Sequence, residues 1–458
     1  MGISSAINAA RSGLNAASLG IETTSNNVAN AATKGYSRRS VRTSGAASVT
    51  LGGHARGTGV EVDRIQRSTD WFIVKRSVQS AGDRNQAMAR RDTLIQAESW
   101  FSDGDVGALS ARVQGLYDSL SLATTDPGNS SYRQQFLTDA DRFARGISRV
   151  AGAMDDIQSD LEDRGEELAI SLNTRLEQVA ELNVKILETG DVDSAATLID
   201  ERDQVARSLA EDLGAEIRFD YETGEAAILV GGVALVHEGE WSEVEATANA
   251  AGQLSLERVS GSLDLGDSVR GTFGGMIESW SDVESYLDDL DSVVTDLADA
   301  FNTQHNAGFD LNGAAGADLF IWDNTLPHVS TSLKLDETIT SDEVAFAGAA
   351  AASPGDIDNL KSLLDLEDSL LFTAGTETSE QFMTGLISGV GFDINKAESD
   401  VEHYSAVLND LDVLRDSVAG VDLDEEAAAL IQYQTAYQAA AKVMTVADEL
   451  IQTLMQVA

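Results

Sequence analysis

The chain has 458 residues and a formal net charge of −45, from 31 Lys and Arg against 76 Asp and Glu. A surface this acidic repels phosphate backbones, which excludes a nucleic-acid binder, and 43% hydrophobic content excludes a disordered acidic tail. The absence of cysteine removes disulfides, thiol nucleophiles and Cys-ligated metal centres, while the length leaves room for about three domains.

The start, MGISSAINAARSGLNAASLG, has no basic region followed by an apolar run and no small-residue cleavage site, so no cleaved secretory signal is expected. No stretch approaches the roughly 20 apolar residues of a membrane helix, so membrane insertion is not expected either. Residues 1–100 carry 13 basic and 7 acidic side chains, which leaves −51 on the rest. Within that segment Ile3, Ile7, Ala10, Leu14, Ala17, Ile21, Thr24 and Val28 alternate by four and three, the heptad seam of a helix packed along its length. Residues 1–33 hold only two charges, Arg11 and Glu22.

Asn26, Asn27 and Asn30 then offer a helix stop and Gly35 a turn, and residues 41–65 read as extended. Helical periodicity resumes from about Asp70 to Trp100 and again over Leu109, Val113, Leu116 and Leu120, up to Asp126-Pro127-Gly128. From Phe136 the same spacing persists to Ile186, a helix of more than 50 residues that predicts a rod rather than a sphere. A helix over Ala195 to Leu213 follows. The period then changes to two, with turn glycines, until about Val269, which predicts a β insertion.

Val283, Leu287, Leu290, Val294, Leu297 and Phe301 restore a helix, residues 306–355 are loop-rich, and the remainder is helical. The last helix repeats the pattern of the first: Leu430, Tyr433, Tyr437, Ala440, Met444, Ala447, Ile451 and Leu454 form a seam, with only Lys442, Asp448 and Glu449 charged after residue 426. A water-facing helix is normally charged on its polar side. Two charge-poor terminal helices suit packing among copies of the chain, the alternative being a monomeric two-helix hairpin. Both ends are expected to be largely disordered until neighbours bury them.

The fold class expected is mainly α with an inserted β domain, a long helical rod closed by paired terminal coiled-coil helices. Residues 1–35 with 424–458 form its assembly domain, 36–214 with 270–305 and 356–423 its helical rod, 215–269 the β domain and 306–355 a loop-rich segment with short strands. No catalytic constellation emerges. The five histidines are scattered and read as structural or surface residues, there is no HExxH, S-x-x-K, G-x-S-x-G or Walker loop, and Gly57-Thr58-Gly59 lacks the third glycine of a dinucleotide loop. No enzyme activity, cofactor or metal is expected.

Four blocks carry a resemblance. They are Thr24–Arg38 (TSNNVANAATKGYSR, with Asn26, Asn27, Gly35 and Tyr36), Leu198–Gln204 (LIDERDQ), Phe301–Gly313 (FNTQHNAGFDLNG, with Gln304, His305, Gly308, Asp310 and Gly313) and the C-terminal helix from Val418. Their order and spacing make the chain similar to the bacterial flagellar hook-associated protein 1 family, the hook-filament junction proteins. The resemblance implies a structural subunit exported through the flagellar type III pathway without a cleaved signal and assembled outside the cell as a ring-like oligomer. It further implies hook protein and the second hook-associated junction protein as neighbours, and a cytosolic export chaperone on the C-terminal helix. Another axial subunit of hook or rod is the nearer alternative, against which the third block argues. An extracellular enzyme or adhesin carried on the β domain is the more distant one.

Overall fold

The computed structural model describes residues 2–33, 36–51, 54–68, 70–102, 109–190, 195–220, 223–353 and 355–457. Gly35 lies outside the described residues, and the side chains of Ile3, His54 and Leu454 are likewise not described.

Helix α1, Gly2–Ala29, leads into a two-level hairpin. Strand β1 (Arg39–Gly45) pairs antiparallel with β4 (Val60–Arg67), and β2 (Val49–Leu51) pairs with β3 (His54–Arg56) beyond them. Then come α2, Trp71–Ser102, α3, Leu109–Ala123, and α4, Ser130–Glu188. With 59 residues α4 is about 90 Å long. Its stripe of Phe136, Ala140, Phe143, Ile147, Val150 and Met154 is wholly inaccessible to solvent, and Phe143 meets Phe320 edge-on at 5.6 Å. Truncating such a ring would cost about 3–5 kcal/mol. Helix α5, Ala196–Leu213, ends at Gly214, whose φ of 64° supplies the left-handed cap.

The β insertion forms two antiparallel sheets. The first is a meander of β5 (Glu216–Phe219), β6 (Ala226–Val230), β7 (Val233–His237) and β8 (Glu240–Trp241). The second contains β9 (Val244–Ala248), β10 (Leu254–Arg258) and β11 (Leu263–Asp264), with β10 central. Gly231 and Gly232 turn the chain between β6 and β7 with φ of 56° and 84°, the pair of positive values that matches hairpin twist.

Helix α6, Gly271–Ser292, runs through a π-turn at Val293–Ala298 into α7, Asp299–Ala307. Short strands β12 (Phe320–Ile321) and β13 (Lys334–Leu335) pair across the following loops. Helices α8 (Asp358–Leu364), α9 (Ser379–Ala419) and α10 (Leu423–Val457) complete the chain. Thr378 and Gln381 form a capping box at the start of α9. Arg90 of α2 forks onto Asp282 of α6 at 2.7 and 3.1 Å and reaches Asp393 of α9 at 3.7 Å, so one guanidinium joins three helices.

Four asparagines tie helices to extended backbone in one manner. Asn27 of α1 clasps Arg39, Asn173 and Asn183 of α4 clasp Val244 and Ala226, and Asn302 of α7 clasps Phe320. Each carboxamide donates to the residue's C=O and accepts its N–H, at 2.7–3.1 Å. A side chain thereby supplies the partners that the strand ladder does not, a role Asp cannot fill because it lacks the donor.

Candidate functional site

Helices α1 and α10 lie antiparallel, and three contacts fix their register. Asn27 bonds Glu426, Gly20 lies under Tyr433 and Gly13 faces Ala440, each seven residues from the last on both helices. A Cβ on Gly20 would come within 2.5 Å of the Tyr433 ring, so that ring rests directly on the α1 backbone. The inner line on α1 therefore runs through Ala10, Gly13, Ala17, Gly20, Thr24 and Asn27. Ile7, Leu14 and Ile21 are half-buried beside it, and Val28 is 44% exposed. Spacing by seven was legible, but small residues occupy the closest approach because the narrowest side chains set how near two helices come. Gly13, Gly20 and Asn27, seven apart, were the signal for it.

On α10, Leu430, Tyr433 and Met444 are half-buried and Ala447 is buried, whereas Tyr437 and Ile451 are exposed. Several exposed side chains of α10 are apolar, Ile431 at 63% and Met455 at 77% with Val443, Val446 and Leu450 also in the open, and they stand among exposed Gln and Thr with only three charges after Glu426, namely Lys442, Asp448 and Glu449.

The foot of the pair is a buried polar knot. Glu426, 2% exposed, accepts from Asn27 Nδ2 at 3.0 Å and from Arg38 Nε at 2.6 Å. Tyr36 donates to Asn27 Oδ1 at 2.9 Å, and Arg38 N–H to Ala419 O at 2.9 Å. Burial opposes the Arg38 charge, but the hydrogen bond and charge of Glu426 outweigh it and hold the guanidinium above its ordinary pKa. Asn26 is exposed and accepts from Asn30 through its backbone oxygen. The second block meets the first here. Asp200 accepts from Arg39 at 2.5 Å and Arg67 at 3.0 Å, so α5 holds the open end of the β1–β4 hairpin. Sequence reasoning quoted Arg38 only as the end of the first block and gave no role to it, to Glu426 or to this pairing.

The third block is a second knot, at the far end of α7. His305 is fully buried; its Nδ1–H donates to Ala317 O at 2.6 Å and its Nε2 accepts Ala345 N–H at 2.8 Å. Burial pushes its pKa down to about 4, which keeps the ring neutral and able to accept. Gln304 donates to Asn359 at 2.7 Å, and Asp310 accepts the N–H groups of Asn312 and Ala314, both at 2.8 Å. Gly308 fits because a Cβ there would strike Asn359 and Ala345 O, and Gly313 takes φ of 79°.

Elsewhere, Asp288, Asp291 and His328 bring ligand-type atoms within 4.8 Å of one another. Asp291 already accepts from Ser330 N–H at 2.8 Å, from Ser330 Oγ at 2.5 Å and from His328 Nδ1 at 3.1 Å, which makes it a pin for that loop. Among the described residues no helix is long and apolar enough to cross a membrane.

These elements match known proteins. The family model "Flagellar hook-associated protein FlgK helical domain" matches residues 94–320. Models for the flagella basal body rod protein and for the C-terminal region of the flagellar basal body rod FlgEFG proteins match residues 7–36 and 416–457. The chain is 26% identical to flagellar hook-associated protein 1 of Bacillus subtilis, covering 96% of each. It is 23% identical to that of Escherichia coli K12, covering 99% of this chain and 100% of the relative. In fold it is similar to the flagellar hook junction protein FlgK from Burkholderia pseudomallei, with TM-score 0.64 and 12% identity over 76% of this chain and 100% of the other. The chain belongs to the flagellar hook-associated protein 1 family: it is a structural subunit of the bacterial flagellar axis at the hook-filament junction and not an enzyme, assembled with other flagellar proteins.

Proposed function

We propose that the subunit assembles through its terminal helices, residues 1–35 with 424–458, into a ring-like oligomer, and that the outward faces of α1 and α10 are covered by neighbouring copies. The observation that carries this reading is the charge-poor circumference of α10 after Glu426, where exposed Ile431, Tyr437, Val443, Val446, Leu450 and Met455 would cost free energy if left in water and only Lys442, Asp448 and Glu449 are charged. Residues 36–214 with 270–305 and 356–423 serve as the helical rod around this ring, with 215–269 as an outward β domain and 306–355 as its loop-rich companion. Hook protein is the neighbour on one side and the second hook-associated junction protein on the other. The chain reaches this position outside the cell by type III export without a cleaved signal, after an export chaperone has held its C-terminal helix. The test is deletion of the gene in its own host, with an immunoblot for filament protein in the medium and electron microscopy. Normal hooks, no filaments and shed filament subunits are expected; intact filaments would contradict the proposal, and missing hooks would move the subunit to a more basal position.

A further inference from the structure

Glu284, Asp288 and Asp291 stand at i, i+4 and i+7 on α6, where helical spacing sets side chains in a row on one face. The loop between β12 and β13 lays His328 against that row. Asp288, Asp291 and His328 bring ligand-type atoms within 4.8 Å of one another, and Glu284 Oε2 lies 3.5 Å from His328 Nε2. Among the described residues no lysine or arginine pairs with any of the three carboxylates.

His328 is only 9% exposed, and its two ring nitrogens have different surroundings. An ionised carboxylate only accepts, so the 3.1 Å contact with Asp291 fixes a proton on Nδ1. Nε2 makes no hydrogen bond among the described residues and faces Glu284 Oε2. A neutral ring thus sets a lone pair against a carboxylate oxygen, and a positive charge between them removes the conflict. A proton there would balance one of the three carboxylates, a divalent cation two. The partners around the pair are those a metal site uses. A ligating imidazole gives its other N–H to a carboxylate, as His328 does to Asp291, and a ligating carboxylate is itself hydrogen-bonded, as Glu284 is by Gln158 Nε2 at 2.7 Å. Asp291 is held in turn by Ser330 N–H at 2.8 Å and Ser330 Oγ at 2.5 Å. Two ligands of a tetrahedral zinc ion stand about 3.3–3.4 Å apart, close to the 3.5 Å between Nε2 and Oε2. The imidazole selects zinc-type ions over calcium and magnesium, which take oxygen ligands.

We propose that Glu284, Asp288 and His328 Nε2 bind a zinc-class divalent ion, with Asp291 and Gln158 orienting the ligands and water completing the shell. The ion joins α6 to the β12–β13 loop and, through Gln158, to α4, so it fastens the loop-rich segment to the helical rod. Ligand spacing does not announce such a site, since His328 lies 37 residues beyond Asp291, which is why the sequence led us to expect no metal.

The experiment is calorimetric titration of the full chain, stripped with a chelator and dialysed, with zinc chloride in a magnesium-containing buffer that occupies all-oxygen surface sites. One zinc per chain is expected, with Kd at or below about 10 μM, weakened about tenfold or more in two variants. These are His328→Asn, which keeps a donor near Asp291 but removes Nε2, and Asp288→Asn, at an exposed position. His403→Asn, at an exposed histidine of α9, is expected to bind as the parent does. Absence of saturable zinc binding to the parent chain would overturn the proposal, whether or not the variants fold. So would undiminished affinity in whichever of His328→Asn and Asp288→Asn retains the parent's circular dichroism, or a loss in His403→Asn as large as theirs.

Discussion

Gly20 lies directly beneath the ring of Tyr433, with 2.5 Å between the ring and the place a Cβ would occupy. Gly20→Ala gains about 1 kcal/mol of helix propensity, yet the methyl must displace an aromatic ring seated between two helices. The expected net effect is a loss of about 1–3 kcal/mol of pairing stability. In Tyr433→Ala the same methyl meets open space, so a double-mutant cycle followed by urea unfolding should show coupling of about 0.5 kcal/mol or more. Additive effects would mean that the ring does not rest on α1.

At the foot of the pair, Asn27→Asp preserves shape while removing the donor to Arg39 O and Glu426. It also sets a second carboxylate beside a glutamate that is 2% exposed. A loss of about 3 kcal/mol is expected, since a buried charge loses a partner and gains a repulsion. Glu426→Gln in the Asn27→Asp background should recover part of it. Amide exchange at Arg39 reads the clasp itself: wild-type protection in Asn27→Asp would show that the clasp is not what holds β1.

The pair is knotted at one end only. The Asn27–Glu426 end is tied by buried hydrogen bonds, whereas beyond Tyr433 on Gly20 the two helices meet through Gly13, Ala440 and half-buried Leu14 and Met444, and α1 is tied to β4 where Ser12 Oγ accepts Val60 N–H at 3.1 Å. Isolated monomer should therefore exchange quickly at Leu14 and Met444 and more slowly at Asn27. Slow exchange at Leu14 and Met444 in the monomer would rule out completion of these helices by assembly.

His305 gives a pH signature. Its pKa is about 4 in the fold against about 6.5 in the unfolded chain, so between those values the unfolded state binds a proton that the native state does not. Stability from this residue is whole above pH 6.5 and is lost as pH falls toward 4, in total about 3 kcal/mol. The stability difference between the parent and His305→Gln, measured by urea unfolding, should shrink by roughly that amount from pH 7.5 to pH 4. A difference that stays constant would place His305 outside the titrating groups.

Periodic elements were legible because burial on one side writes itself into spacing. The α4 stripe from Phe136 to Met154 is apolar every three or four residues and is wholly buried. The long-range clasps were not legible. Asn173 and Asn183 look like ordinary surface residues on an acidic helix, since their partners are backbone groups 71 and 43 residues away, which carry no sequence signal. The pairing of Arg39 with Asp200, 161 residues apart, is hidden for the same reason. The inner line of α1 was half legible: Ala10, Ala17 and Thr24 lie on it, but the branched Leu14, Ile21 and Val28 drew attention from Gly13, Gly20 and Asn27. The tyrosines divide similarly, Tyr433 serving the seam within one chain and Tyr437 facing outward. Tyr437→Ala should thus impair assembly with little change in monomer stability, read by complementation beside thermal unfolding.

The most direct measurement of the central claim is complementation of a deletion strain with the double variant Ile431→Glu and Val443→Glu, which places charges at two exposed positions of α10 outside the line of Glu426, Tyr433, Ala440 and Ala447 that meets α1. The purified variant should fold with the parent's circular dichroism, while cells carrying it shed filament protein into the medium and swim no better than the deletion strain. Full motility with normal filaments would contradict assembly through that face.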